Sequence, residues 1–112
     1  MILDEREFYI RMGEDSELLR ILTNSFINEI PKQLIHLENL LNENNFKNSQ
    51  ALAHTIKGMS GNMSAMRMQN TALNIEFACK EENIDAAFDN FIKLKKEFKK
   101  FIVYAEQNIL KN

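Results

Sequence analysis

The stretch Ala53-His54-Thr55-Ile56-Lys57-Gly58-Met59-Ser60-Gly61-Asn62-Met63-Ser64 decides how this chain folds and what it presents to its surroundings. On a helix, residues three and four apart share a face, so His54 sits at the centre of one side among polar residues and glycines. The apolar side chains on the opposite side are Leu52, Ile56, Met59 and Met63. Because that apolar side faces a core, the pattern predicts that His54 faces water.

The histidine face carries two glycines, Gly58 and Gly61, one and two helical turns beyond His54. A glycine inside a helix costs about 1 kcal/mol relative to alanine, so each position needs a reason. One reason is that the missing side chains clear space for another molecule to approach the imidazole. The alternative is a poorly formed, fraying helix with an ordinary surface histidine, and the spacing alone leaves both open.

Further residues around His54-Thr55-Ile56-Lys57-Gly58 extend this pattern in both directions. Upstream, RMGEDSELL at 11–19 is followed by Phe26 and Pro31. Downstream, the residues at helical spacing are Met68, Ala72, Ile75 and Glu76. Together they resemble the histidine-containing phosphotransfer (HPt) domain family, whose signature is H-x-[IL]-K-G, over nearly the whole chain. The resemblance implies an all-α fold, an antiparallel four-helix bundle (up-down-up-down) with a short additional N-terminal helix, forming one domain over residues 1–112.

The same resemblance implies a phosphorelay intermediate that accepts a phosphoryl group on His54. It would pass that group to or from an aspartate of a response-regulator receiver domain. Lys57 would place positive charge near the phosphoryl oxygens, and Gln50, Gly58 and Gly61 would form the face on which a partner docks. A receiver domain and a histidine kinase or hybrid kinase would supply the catalysis. We therefore expect a phosphoryl carrier rather than an enzyme, with no cofactor and no metal site.

Glu76 is a candidate second residue of this site. In the kinases of bacterial chemotaxis, the phosphotransfer domain has a glutamate at the matching spacing after its histidine, and that glutamate bonds the other ring nitrogen. By this resemblance, Glu76 would hold a proton on Nδ1 of His54 and leave Nε2 free as the nucleophile. A solvated glutamate at the helix edge is the alternative, and the sequence leaves both open.

Ser64 stands where the family usually has glycine, at the turn after the site helix. We expect its hydroxyl to serve as the N-cap of the next helix. Two alternative functions stay open beside the phosphorelay. One is a non-phosphorylated adaptor bundle that binds a receiver or a kinase, and the other is the phosphotransfer domain of a larger hybrid or chemotaxis-type histidine kinase.

Composition sets further limits on the fold class and the partners. The chain has 112 residues, the length of one domain, and its single proline and three glycines favour helices over a turn-rich β fold. A net charge of −2 argues against nucleic acid as the main partner. Cys79 is the one cysteine, which excludes an internal disulfide and suits a reducing compartment. We expect a cytoplasmic monomer without direct membrane insertion, in which Cys79 is buried.

Helical periodicity predicts a short helix followed by four longer ones, with the first long helix kinked but continuous at Pro31. The predicted apolar stripes lie within 3–12, 18–41, 46–63, 65–81 and 84–110. The predicted N-caps are Asp15, Asn45 and Asn83. Two groups of residues allow two interpretations each. A lysine group could form a solvated helix face or a docking stripe, and its members are Lys93, Lys95, Lys96, Lys99 and Lys100. A methionine group could fill the core or form an adaptable binding surface, and its members are Met59, Met63, Met66 and Met68.

Overall fold

A computed structural model describes residues 16–110, which form four α-helices joined by three short turns. The helices are α1 (Ser16–Asn42), α2 (Phe46–Asn62), α3 (Met66–Lys80) and α4 (Ile84–Asn108). Each helix packs on the next one along the chain, and α4 closes the bundle against α1. The predicted antiparallel four-helix bundle is therefore confirmed, whereas the predicted helix at 3–12 and the cap at Asp15 lie outside the described residues.

The core runs along the axis of the bundle and is filled by the apolar stripes of the four helices. Phe26 of α1 packs edge-to-face on two rings of α4, with its centroid 5.1 Å from that of Phe101 and 6.2 Å from that of Phe98. Such aromatic pairs add about 0.5–1.5 kcal/mol each beyond the area they bury. Cys79 is buried as predicted, and burial raises the pKa of its thiol, which makes the sulfur a poor nucleophile.

Pro31 lies inside α1, and the helix continues through it, as predicted. Proline has no N–H, so the carbonyl of Ile27, four residues earlier, loses its donor within the helix. The buried residues of α1 on either side of Pro31 keep one phase: Leu19, Thr23, Phe26, Ile30, Leu34, Leu37, Leu40 and Leu41. Their shared burial holds the two halves of α1 in one helix, and the kink itself stays a prediction.

All three turns of the bundle use the same backbone geometry. Each has one residue in the left-handed region, with φ of 54°: Asn44, Ser64 and Glu82. In each turn the next residue donates its N–H to the carbonyl five positions earlier, at 2.8–2.9 Å. These bonds satisfy carbonyls at the helix end that have no partner within the helix. The donating residue is also the N-cap of the following helix, so one residue ends each turn and starts the next helix.

Two of the three N-caps are those predicted from the sequence. The side-chain oxygen of Asn45 accepts a hydrogen bond from the N–H of Asn48, and that of Asn83 accepts one from Ala86. The prediction that Ser64 caps α3 is wrong. The N-cap of α3 is Ala65, whose side chain makes no capping hydrogen bond. Ser64 instead occupies the left-handed position that ends α2, and this places Ala65 in the core with no exposed surface.

The five lysines of α4 singled out in the sequence are all exposed, which fits the interpretation as a solvated face. The methionines divide between the two interpretations: Met63 and Met68 are buried, Met59 is half-buried, and Met66 is exposed. Between residues 16 and 110, no helix combines the length and the apolar character needed to cross a membrane.

We expect Glu82→Gly to stabilise the protein by about 1 kcal/mol. A left-handed conformation costs a residue with a Cβ about 1–2 kcal/mol, and the greater freedom of an unfolded glycine offsets part of that gain. Urea unfolding followed by circular dichroism gives the free energy of unfolding. Glu82→Ala is the control, because it removes the same exposed side chain but keeps the Cβ. An equal change in both variants would contradict a role for the backbone conformation.

Candidate functional site

His54 projects from the outer face of α2 because the inner face of that helix is committed to the core. The buried residues of α2 are Ser49, Ala53, Ile56 and Ser60. The side chain of His54 is 66% exposed, and α2 is continuous from Phe46 to Asn62, so a fraying helix does not describe this segment. The predicted exposure of His54 is confirmed, and so is the predicted burial of the apolar side for Ile56 and Met63, while Met59 is only half-buried.

Glu76 of α3 joins His54 and Lys57 of α2 in one cluster. Its Oε2 lies 3.1 Å from Nδ1 of His54, and its Oε1 lies 3.0 Å from Nζ of Lys57. The carboxylate is 18% exposed and the lysine side chain 25% exposed, so both lie beneath the more exposed imidazole. Glu76 is therefore not a solvated glutamate at the helix edge. Residues 22 positions apart in sequence meet here because α2 and α3 are antiparallel neighbours.

The charges of this cluster decide which nitrogen of His54 is available. Burial raises the pKa of Glu76, but the hydrogen bonds and charges of Lys57 and His54 outweigh it, so the pKa lies below the ordinary 4.5. An ionised carboxylate only accepts hydrogen bonds, which means that the proton of a neutral imidazole must sit on Nδ1. The lone pair is then on Nε2, at the exposed edge of the ring.

Lys57 has an intramolecular partner that the sequence did not reveal. Sequence reasoning assigned its charge to a phosphoryl group, whereas the structure places its ammonium on the carboxylate of Glu76. The ion pair favours the ionised carboxylate, and through it the Nδ1–H form of His54. Contact between Lys57 and a phosphoryl group stays a prediction.

The two glycines near His54 have different surroundings. A Cβ added to Gly58 would meet no atom within 4 Å, so the surface beside the imidazole is open. A Cβ added to Gly61 would lie 2.6 Å from Nε2 of Gln69, so Gly61 accommodates a side chain of α3. Gln50, the third residue of the expected docking face, is half-buried. The geometry thus supports the interpretation that Gly58 leaves space beside the imidazole, and it shows that Gly61 lets α3 pack closely. Docking of a partner at Gln50, Gly58 and Gly61 stays a prediction.

A groove between α1 and α2, on the other side of Gly58 from Glu76, was not predicted from the sequence. This α1–α2 groove has a volume of about 320 Å³. It is lined by Leu22, Ser25, Phe26, Glu29, Met59, Asn62 and Met63. In the sequence, the residue that could have indicated this groove is Met59. It follows Gly58 directly and lies at the margin of the apolar stripe of α2. A half-exposed methionine there offers a flexible apolar contact to a partner.

Comparison with protein families gives a match over most of the bundle. The sequence model of the family described as Hpt domain matches residues 22–101, which include His54, Lys57 and Glu76. The matched range extends from the second turn of α1 into the last two turns of α4. Comparisons with curated proteins and with solved structures gave no match.

We expect the stability difference between the wild type and Glu76→Gln to depend on pH. The pKa of Glu76 is lowered in the folded protein, so its ionised form stabilises the fold above the unfolded pKa near 4.5. That contribution is lost as the pH falls through the lower native pKa. Unfolding in urea at a series of pH values should show the wild type more stable near neutral pH and the difference shrinking in acid. A difference that stays constant over this range would contradict the ion-pair assignment.

Proposed function

The chain belongs to the Hpt domain family, and on that premise we propose that His54 is the residue that carries the phosphoryl group. Hpt domains serve histidine phosphotransfer in two-component systems, where they work with histidine kinases and response regulators. The observation that carries the proposal is the pairing of an exposed imidazole with a carboxylate, 3.1 Å from Nδ1 to Oε2 of Glu76. The imidazole of His36, in contrast, is exposed on α1 without a recorded ion pair or hydrogen bond within residues 16–110.

In the proposed reaction, the lone pair on Nε2 of His54 attacks the phosphorus of an aspartyl phosphate in a receiver domain. The N–P bond forms, the P–O bond to the aspartate breaks, and the freed carboxylate leaves with the bonding electron pair. The proton on Nδ1 stays in place throughout, so the phosphorylated ring carries a positive charge. Glu76 stabilises that charge through its hydrogen bond, the role of an orienting carboxylate. The reverse reaction follows the same path, because a protonated ring is a good leaving group.

We propose two contributions for Lys57. At rest its ammonium holds Glu76 in the ionised form from 3.0 Å away. After transfer, the phosphoryl group brings negative charge to the face on which Lys57 also lies, one helical turn from His54. A lysine on a flexible stem can then share its charge between the carboxylate and the phosphoryl oxygens. The chain supplies orientation and charge, and the partner supplies the aspartate and the remaining catalysis, so we propose a carrier rather than an enzyme.

The docking face that we propose combines the open surface at Gly58 with the α1–α2 groove. Gly58 lies one helical turn from His54, the groove begins at the adjacent Met59, and the apolar part of the groove suits a helix of a receiver or kinase domain. Gln50 and Gly61 would lie on the other margin of this face. We further propose that residues 1–112 act as one cytoplasmic, monomeric domain. An adaptor that is not phosphorylated would need neither the oriented imidazole nor the half-buried ion pair beneath it.

We expect a radiolabelled, phosphorylated receiver domain to transfer label to the wild type and to His36→Gln, but not to His54→Gln. A phosphoramidate is labile in acid and stable in base, so the label on the protein should disappear after mild acid treatment. The measurement is autoradiography of the separated proteins with and without that treatment. His36→Gln is the matched control, since it removes the other exposed histidine. Label retained on His54→Gln would overturn the assignment of the phospho-acceptor.

We expect Gly58→Gln to slow this transfer by about a hundredfold, because displacing reacting groups by about 1 Å can have an effect of that size. The fold should be retained, since a side chain there meets only open space and glutamine favours a helix more than glycine does. Gly58→Ala is the control, because it gains helix propensity with the smallest added volume. Transfer as fast in Gly58→Gln as in Gly58→Ala would remove the argument that Gly58 clears space for a partner.

A further inference from the structure

An exposed phenylalanine lies on α3 beside the histidine site. Phe77 follows Glu76 directly in the sequence and is 54% exposed. Among residues 16–110 it is the one exposed aromatic residue, since the other large apolar residues exposed there are aliphatic or methionine. Its ring leaves apolar surface in water, which is unfavourable at about 25 cal/mol per Å². Burial of that ring by a partner would remove this cost.

Phe77 is one of two apolar side chains of α3 that point away from the core. Leu73 and Phe77 lie two residues before and two residues after Ile75, which has no exposed surface. At about 100° per residue, both therefore point about 160° away from the direction of the core. They are four residues apart and so are neighbours on one side of the helix. We call Leu73 and Phe77 the α3 ridge.

Isolated exposed apolar side chains are common on protein surfaces, so the position of the ridge decides its meaning. His54 lies two residues before Ile56, another residue with no exposed surface, and it points outward from α2 as the ridge does from α3. Glu76, the residue before Phe77, reaches Nδ1 of His54 at 3.1 Å. The ridge is therefore on the helix beside the imidazole, at the same level of the bundle.

The size of a protein interface brings the ridge under any partner that reaches His54. A stable interface covers about 800 Å² of each protein, a disc of roughly 16 Å radius. The axes of packed helices are about 8–10 Å apart. A disc of that size centred on His54 of α2 therefore extends across the outer face of α3, where the ridge lies.

The undescribed residues 1–15 join the bundle at a distance from the ridge. They lead into Ser16 at the start of α1, which lies diagonally across the bundle from α3. Phe77 is about 16 Å along α3 from the end of the bundle at which α1 begins. A partner centred on His54 needs no such span, and this favours a partner over the N-terminal segment as the molecule that covers Phe77.

We propose that the α3 ridge is a contact surface for the receiver domain that exchanges the phosphoryl group with His54, and that it fits apolar side chains beside the receiver's aspartate. The inference rests on the proposed function for the identity of this partner. It adds a surface on the α3 side of His54, whereas Gly58 and the α1–α2 groove lie on the α1 side. Buried aromatic residues contribute much of the binding energy of an interface. Phe77 touches no reacting atom, so it sets the affinity for the receiver and leaves the chemical step to His54.

The first test measures transfer of label from the phosphorylated receiver domain at a series of receiver concentrations. Phe77→Ala should raise the half-saturating concentration roughly tenfold or more and leave the maximal rate unchanged, because the ring supplies binding and no chemistry. Phe77→Leu keeps an apolar side chain and should recover most of the affinity. Ile92→Ala is the matched control and should behave like the wild type, since Ile92 is 51% exposed on α4, diagonally across from α2.

The second test measures binding without transfer. The isotope-labelled protein is titrated with the unphosphorylated receiver domain and followed by NMR. We expect saturable shifts at the amides of Leu73 and Phe77 and none at Ile92. This arm separates the two proposals: a receiver that binds at the ridge but transfers no label would contradict the proposed phosphotransfer and support the contact surface.

Three results would overturn the inference. The first is an equal half-saturating concentration for the wild type and Phe77→Ala while label is transferred normally. The second is a lower free energy of unfolding for Phe77→Ala than for Ile92→Ala, which would mean that Phe77 packs within the chain. The third is a wild type that neither binds the receiver nor accepts label, which would overturn the proposed function as well.

Discussion

The carboxylate of Glu76, held between an ammonium and an imidazole, is the interaction on which the chemistry of this protein depends. It links α2 to α3 at the level of His54, with contacts of 3.0 and 3.1 Å. A carboxylate so placed performs two tasks, because it ties two antiparallel helices together and sets the tautomer of the ring. Two opposing effects set the pKa of Glu76. Burial raises it, and the hydrogen bonds and charges of Lys57 and His54 together lower it by more.

The helix packing makes this contact possible. The inner face of α2 has mostly small side chains, and Gly61 lies so close to Gln69 of α3 that an added Cβ would overlap it. Close approach brings the short side chain of Glu76 within reach of the next helix. The turn between α2 and α3 contributes as well, because its left-handed residue, Ser64, lets the chain reverse within a few residues. Backbone strain at that turn and the missing side chain at Gly61 thus both serve the placement of α3 against α2.

Acidic side chains lie towards both neighbours of α3. Towards α2, the carboxylate of Glu76 forms ion-pair contacts with Lys57 and His54 and directs the exposed imidazole. Towards α4, the side chain of Glu97 is more deeply buried, with 9% exposed against 18% for Glu76, and its Oε1 lies 3.7 Å from Nζ of Lys100. Buried charge in a small bundle is costly unless it is paired. Glu76 meets that requirement through Lys57 and His54.

The sequence by itself determined the helices, their order and the face on which His54 lies, because each of these follows from local periodicity and from capping residues such as Asn45 and Asn83. Tertiary structure decided the rest. Whether Glu76 reaches His54 depends on the register of two helices, and the pairing of Lys57 with Glu76 depends on the same register. The expectation that Ser64 is an N-cap was wrong because the cap and the left-handed residue that ends the preceding helix are neighbours in sequence, and the backbone conformation of the turn, with φ of 54° at Ser64, decides which is which. The α1–α2 groove could not be predicted either, since it is a space between two helices and no single helix encodes its width.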